Sequence, residues 1–135
     1  MSVNNISVQA TTENLDTVIG FVDEFLEELG CSMKTQMQID LCVEEMYINI
    51  ANYAYGDDIG EAEIEVSENC GEVSITMKDR GVPYNPLEKP DPDTTLSAEE
   101  RQVGGLGIFI VKKIMDTVLY EYKDGQNIFT MTKKL

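Results

Sequence analysis

Ile6, Val8 and Ala10 alternate with polar residues, the period of a half-buried strand. Thr11 and Thr12 offer hydroxyls to cap the start of a helix. Leu15, Val18, Ile19, Val22, Phe25, Leu26 and Leu29 then recur at helical spacing as far as Gly30, a glycine stop. A second helix is predicted over about 34–55. Ile39, Val43, Met46, Ile50 and Ala54 form one apolar stripe on it, with Leu41 and Ile48 on another face. Apolar residues on two sides predict a largely buried helix.

Strand alternation returns at 62–67, through Ile64 and Val66, and at 72–78, through Val73, Ile75 and Met77. Asn69-Cys70-Gly71 supplies the turn between them. Residues 80–103 hold Pro83, Pro86, Pro90 and Pro92 with little periodicity, and a long loop of this kind inside a domain is usually functional or mobile. Gly104-Gly105-Leu106-Gly107 opens a third helix whose buried side is Ile108, Val111, Ile114 and Met115. Val118, Tyr120 and Tyr122 alternate, Asp124-Gly125 is a hairpin turn, and Ile128 and Thr130 continue into a last strand. Successive hairpin strands interrupted by helices predict an α+β fold with a mixed, mostly antiparallel sheet and helices packed on it.

The 135 residues suit one domain over 1–135. Charge narrows the partners. With 25 acidic and 10 basic residues the net charge is −15, which repels a phosphodiester backbone or an anionic membrane. Direct DNA binding and membrane association are therefore not expected, and any phosphate ligand must be held by local donors and a cation. Cys31, Cys42 and Cys70 form no C-x-x-C pair, as for reduced thiols in a cytoplasmic protein. There is no histidine, which excludes histidine bases, histidine metal ligands and phosphohistidine relays.

Three stretches could carry chemistry. Glu45, Asn49 and Asn52 stand at i, i+4 and i+7 on the second helix, one face by spacing. A carboxylate and two amides among apolar neighbours are costly to bury without partners. Asn49 offers a carbonyl oxygen to a hard cation such as Mg²⁺, and Glu45 could ligate through water or accept a proton. The same face could equally be solvated or meet another chain. Asp79-Arg80-Gly81-Val82-Pro83 ends a strand. Its carboxylate, acceptor-only when ionised, suits an exocyclic amine such as that of adenine, although aspartate and glycine also make plain turns. Gly104, Gly105 and Gly107 precede a helix, where backbone N–H groups can approach phosphate oxygens, or serve only as a hinge. Arg101 is a phosphate contact or an ordinary surface arginine. Lys112 and Lys113 read as solvated, and Met33, Met37 and Met46 as core filler.

Together these stretches resemble the GHKL ATPase superfamily: Glu45-x-x-x-Asn49 its N box, Asp79-x-Gly81 its first glycine box and Gly105-x-Gly107 its second. Val43-Glu44-Glu45-Met46-Tyr47-Ile48-Asn49-Ile50 and Gly104-Gly105-Leu106-Gly107-Ile108-Phe109-Ile110-Val111 look like its anti-sigma regulatory factor branch of bacterial serine/threonine kinases, over about residues 6–134. The resemblance implies a Bergerat-type two-layer α/β sandwich that binds ATP or ADP with Mg²⁺. It implies Asn49 as the metal ligand and Glu45 as general base. Asp79 would hold the adenine amine with Thr130 beside it, and Gly81 would shape the turn. Gly105 and Gly107 would lie against the phosphates, Gly104, Leu106 and Asn52 are counted with them as cofactor-binding residues, and a lid would span about 85–103. It further implies phosphorylation of a STAS-type anti-anti-sigma partner, binding of a sigma factor, and a homodimer. Some relatives carry an arginine immediately before the second glycine box; here Gln102 and Val103 separate Arg101 from Gly104. Two functions fit, a partner kinase or a non-catalytic nucleotide-dependent binding module, and transfer of labelled phosphate to a STAS protein separates them.

Overall fold

Every second residue is buried along 62–66, 73–79 and 127–131 in the computed structural model, which describes residues 2–56, 58–88 and 105–135. The chain runs β1 (Ser2–Gln9), α1 (Leu15–Glu28), α2 (Met33–Tyr53), β2 (Glu61–Asn69), β3 (Glu72–Asp79), α3 (Gly105–Ile114), β4 (Thr117–Lys123) and β5 (Gln126–Lys134). The order matches the α+β expectation. The sheet runs β1-β2-β3-β5-β4, and every pairing among the described residues is antiparallel. The mixed component is therefore not found, for a topological reason. β3 and β4 do run the same way, the relation a helical crossover produces, but β5 lies between them and is antiparallel to both.

Both hairpins close through two residues. Asn69 pairs with Glu72 and Lys123 with Gln126. Cys70, Gly71, Asp124 and Gly125 all have positive φ, as a type I′ turn requires of its central pair. At the end of α1, Gly30 has φ 73°; its N–H reaches Glu27 O (3.0 Å) and that of Cys31 reaches Leu26 O (3.1 Å), a Schellman ending. The start of α2 is capped by Ser32 Oγ, which accepts from Thr35 N–H at 3.2 Å. Thr11 and Thr12 do not cap as expected. A short 3-10 turn, Thr12–Asn14, precedes α1 without a side-chain cap, and Asn14 instead donates back to Gln9 O (2.9 Å).

The helices cover one face of the sheet. Val18, Val22, Phe25 and Leu26 of α1, Ile39, Val43, Met46 and Ile50 of α2, and Ile108 and Val111 of α3 meet Ile64, Val66, Val73, Ile75, Met77, Phe129 and Met131 of the strands. Tyr47 is fully buried, and its hydroxyl donates to Thr11 O (2.6 Å) and Gln9 O (3.1 Å), tying α2 to the end of β1. Burial on α2 is one-sided rather than all round. Leu41 is exposed, as are Met33 and Met37, so only Met46 of the three methionines fills the core. All three cysteines are unpaired.

Asp23 of α1 and Asp40 of α2 meet across the seam between the helices, and Oδ1 of each is buried without a donor. Two carboxyl groups in contact can bond only when one keeps a proton. Burial first, then Asp23 and the charge of Glu27, push the Asp40 carboxyl up to about 8. The folded chain thus holds a proton that the unfolded chain releases near the ordinary aspartate value. Stability falls as pH rises through the window between that value and about 8. Thermal melts between about pH 5 and about pH 9 should show this decline, and Asp40→Asn should flatten it and raise the midpoint most at the alkaline end.

Candidate functional site

Alternation places Asp79, the last residue of β3, on the same face as Ile75 and Met77, and it is only 6% exposed. A carboxylate so placed needs donors. Its Oδ1 accepts the N–H of Gly81 (2.9 Å) and the side-chain amide of Asn127 (2.9 Å). Beyond it the chain passes very close to the end of α2. Val82 N–H donates to Ala54 O (2.8 Å), and a Cβ on Gly81 would overlap that carbonyl; glycine is required here by close approach. Tyr55 fixes the same corner. Its hydroxyl donates to Glu61 O (2.6 Å) and accepts from Arg80 N–H (2.8 Å), joining the end of α2 to β2 and β3.

These elements line a cleft that opens to solvent. Met46, Asn49, Ile50 and Tyr53 line it from α2, and Met77, Asp79, Tyr120, Asn127 and Phe129 from the sheet; Val82, Tyr84 and Pro86 close one side. An apolar lining with a few polar groups is the usual make-up of a small-molecule site. Asn127 is 6% exposed and links the parts. Its amide nitrogen donates to Asp79 Oδ1 and Val82 O (both 2.9 Å), and its oxygen accepts from Tyr84 N–H (3.1 Å) and the Tyr120 hydroxyl. Burial, reinforced by the Asp79 charge and opposed by the backbone bond at Tyr84, raises the Tyr120 phenol, which keeps it a donor.

Of the residues singled out by sequence, Asn49 and Asp79 line this cleft, and Gly81 shapes its edge. No hydrogen bond to the Asn49 amide is found among the described residues. Glu45 lies one turn earlier on α2 and faces α3 instead: a Cβ at Gly107 would come within 2.5 Å of Glu45 Oε2. Gly107 is buried and Gly105 begins α3. Gly105 and Gly107 thus stand in the first turn, whose N–H groups lack intrahelical partners. Asn52 does not join the cleft. It is exposed, about 100° around the helix from Tyr53, which does. Thr130 does not join it either. Its hydroxyl meets that of Thr76 at 3.3 Å, on the opposite face of the sheet from Asp79, so the place beside Asp79 belongs to Asn127. Gly104, Arg101 and most of the expected lid, residues 89–103, lie outside the described residues, as does the side chain of Leu106.

Asn127 was discoverable by parity, since it shares a strand face with Phe129 and Met131. Beneath Glu45, the buried Cys42 thiol is pushed up to about 12 by burial, with Lys133 opposing and Glu45 adding to it, so it is a core group and not a nucleophile. No cluster of three or more carboxylates and thiols suited to a metal occurs among the described residues. A cation at Asn49 would need ligand oxygens and water to complete its shell.

Residues 8–133 match the histidine kinase-like ATPase domain family, and the chain belongs to it. Among curated proteins it is similar to serine/threonine-protein kinase BtrW of Bordetella bronchiseptica, 28% identical over 75% of this chain and 72% of that protein. It is also similar to the anti-sigma F factor of Clostridium perfringens, 27% identical over 93% and 91% of the two chains. The serine-protein kinase RsbW of Listeria monocytogenes is 26% identical over 77% and 69%. Among solved structures, the RsbU and RsbW domains of a Mycobacterium tuberculosis protein superpose over the whole chain with a TM-score of 0.72 at 18% identity. This chain spans a third of that one, and the likeness speaks for the fold. Among the described residues no helix is long and apolar enough to cross a membrane.

Gly81→Ala should destabilise the protein by about 1–3 kcal/mol, because its methyl group meets backbone rather than a yielding side chain. Thermal or urea unfolding measures it. Gly107→Ala meets only the far end of Glu45 and should cost less.

Proposed function

We propose that this chain binds an adenine nucleotide, ATP or ADP with Mg²⁺, in the cleft between α2 and the sheet. We further infer that it is a serine/threonine protein kinase acting on a STAS-type anti-anti-sigma partner in a switch that includes a sigma factor. The observation that carries the reading is convergence. Asp79 and Asn49 line one cavity, and Glu45 sits one turn from Asn49 against the glycine start of α3. The names of the relatives BtrW, RsbW and anti-sigma F factor support the same reading.

In this mechanism the Asp79 carboxylate accepts the exocyclic amine of adenine through Oδ2, the oxygen that takes neither of the bonds from Gly81 and Asn127. Met46, Ile50, Met77 and Phe129 cover the base with apolar surface. The donor set fits Mg²⁺: Asn49 supplies one neutral oxygen, and phosphates and water supply the rest. When bound, the ion neutralises charge on the phosphates. The free N–H groups of the first turn of α3, at Gly105 and Gly107, face the phosphate end. Glu45 receives or orients the proton of the partner's hydroxyl. Phosphoryl transfer rests on positioning and electrostatics, so few groups suffice. Asn52, exposed on α2, is left to the rim, and Thr130 has no part in base binding.

Calorimetric titration of Mg²⁺–ADP and Mg²⁺–ATP tests the binding step. Wild type should bind, and Asp79→Asn, which turns an acceptor into a donor, should bind at least about tenfold more weakly, the equivalent of about 1.4 kcal/mol. A folded wild type that binds neither nucleotide would remove the reading. Glu45→Ala should keep nucleotide affinity within about threefold while losing transfer of labelled phosphate to a STAS-domain acceptor by about a hundredfold or more. Wild-type transfer by that variant would overturn the role of Glu45. Binding without transfer by the wild type itself would point to the non-catalytic module.

A further inference from the structure

Asn127 is the one cleft residue whose hydrogen bonds with protein also dictate which way its amide points. Tyr84 N–H can only donate and the Val82 carbonyl can only accept. The amide therefore has one permitted orientation, with its oxygen toward Tyr84 and Tyr120 and its nitrogen toward Val82 O and Asp79 Oδ1. Both hydrogens of the amide are used within the protein, and so are both acceptor positions of its oxygen. Asn127 has no group left over for a ligand and can act on one only through Asp79.

Its effect on Asp79 is directional. Asn127 and Gly81 place two N–H donors on Oδ1, so Asp79 meets an occupant of the cleft through Oδ2, as an acceptor. A purine with an amino group at C6 gives that oxygen a donor. A purine with a carbonyl at C6 sets two acceptors against each other in a partly dry site, where unpaired polar groups are costly.

We propose that Asn127, locked by Tyr84 and Tyr120, is the positioning residue that sets base selectivity in this cleft, admitting 6-aminopurine and refusing 6-oxopurine nucleotides. This rests on the nucleotide reading above and adds to it the residue that enforces the choice. The lock also spans the fold. It ties the end of β3, the segment of Val82 and Tyr84, β4 and β5 into one hydrogen-bonded unit, so a change at Tyr120 reaches Asp79 without touching it.

The test compares Mg²⁺–ADP with Mg²⁺–IDP, which differ at C6, by calorimetry on the full chain. Wild type should prefer ADP by at least about tenfold. Asn127→Leu removes the donor while keeping the size, and should bring the two affinities to within about threefold of each other. Tyr120→Phe, a milder change that leaves the amide bonded to Tyr84, should narrow the ratio by a smaller amount. Asn127→Asp puts a carboxyl where the donor stood, 2.9 Å from Asp79 Oδ1 in the wild type. The titratable groups facing that position are Asp79 on β3 and Tyr120 on β4, with Glu88 near Tyr120. In that variant a carboxylate replaces the donor against Asp79, and ADP affinity should fall by at least about tenfold. A merely structural asparagine would weaken both nucleotides equally and leave their ratio unchanged. If wild type binds ADP and folded Asn127→Leu and Tyr120→Phe keep its ADP-to-IDP ratio, this proposal is overturned and the nucleotide reading stands. If wild type binds neither, both fall.

Discussion

A carboxylate at the inner end of a central strand is tolerated only where donors are brought to it, and much of the architecture around Asp79 answers that need. One donor comes from the adjoining turn, at Gly81. The other comes from the neighbouring strand, at Asn127. The turn has to be tight, and it presses against the Ala54 carbonyl at the end of α2, which admits no side chain at residue 81. The neighbouring strand has to be β5, since β4 lies one position too far out. Insertion of β5 between β3 and β4 is thus the topological event that completes the site as well as the one that makes the sheet antiparallel throughout.

Around that constraint the fold divides the labour of the cleft between its two layers. The sheet provides Asp79, Asn127 and Tyr120 at fixed spacing, and α2 provides Asn49 with an apolar flank of Met46, Ile50 and Tyr53. Glu45 belongs to a different junction, the contact of α2 with the first turn of α3. One helix therefore presents two consecutive turns to two surroundings, a mostly apolar cavity and a glycine-lined helix start. The histidine kinase-like ATPase family to which the chain belongs is consistent with a site assembled across layers.

Periodicity made most of this legible. The strand order in the chain, the two hairpin turns and the helix stop at Gly30 all follow from local chemistry that tertiary contacts do not override. Asp79, Asn49 and Gly81 could be found because their neighbours form short, recognisable phrases. What escaped was a matter of facing. Ile128 and Thr130 mark β5 as a strand, yet they lie on its open side, and the inward set is Asn127, Phe129 and Met131. Asn52 shares a helical spacing with Glu45, but spacing gives no hint of where a cleft opens along the helix or around it. Met33 and Met37 look like core by composition, and only the packing of α2 against the sheet shows that their side is left bare.

The Tyr55 hydroxyl, bonded to both Glu61 O and Arg80 N–H, has a thermodynamic consequence. It holds the end of α2 to two strands, so Asn49 and Tyr53 on one wall and Asp79 on the other keep their separation whether or not anything lies between them. The ordering entropy of this end of the cleft is spent during folding and not on ligand capture. A small rigid aromatic molecule entering here would meet walls already in place, and its binding should carry a small conformational-entropy penalty together with the negative heat-capacity change of apolar burial.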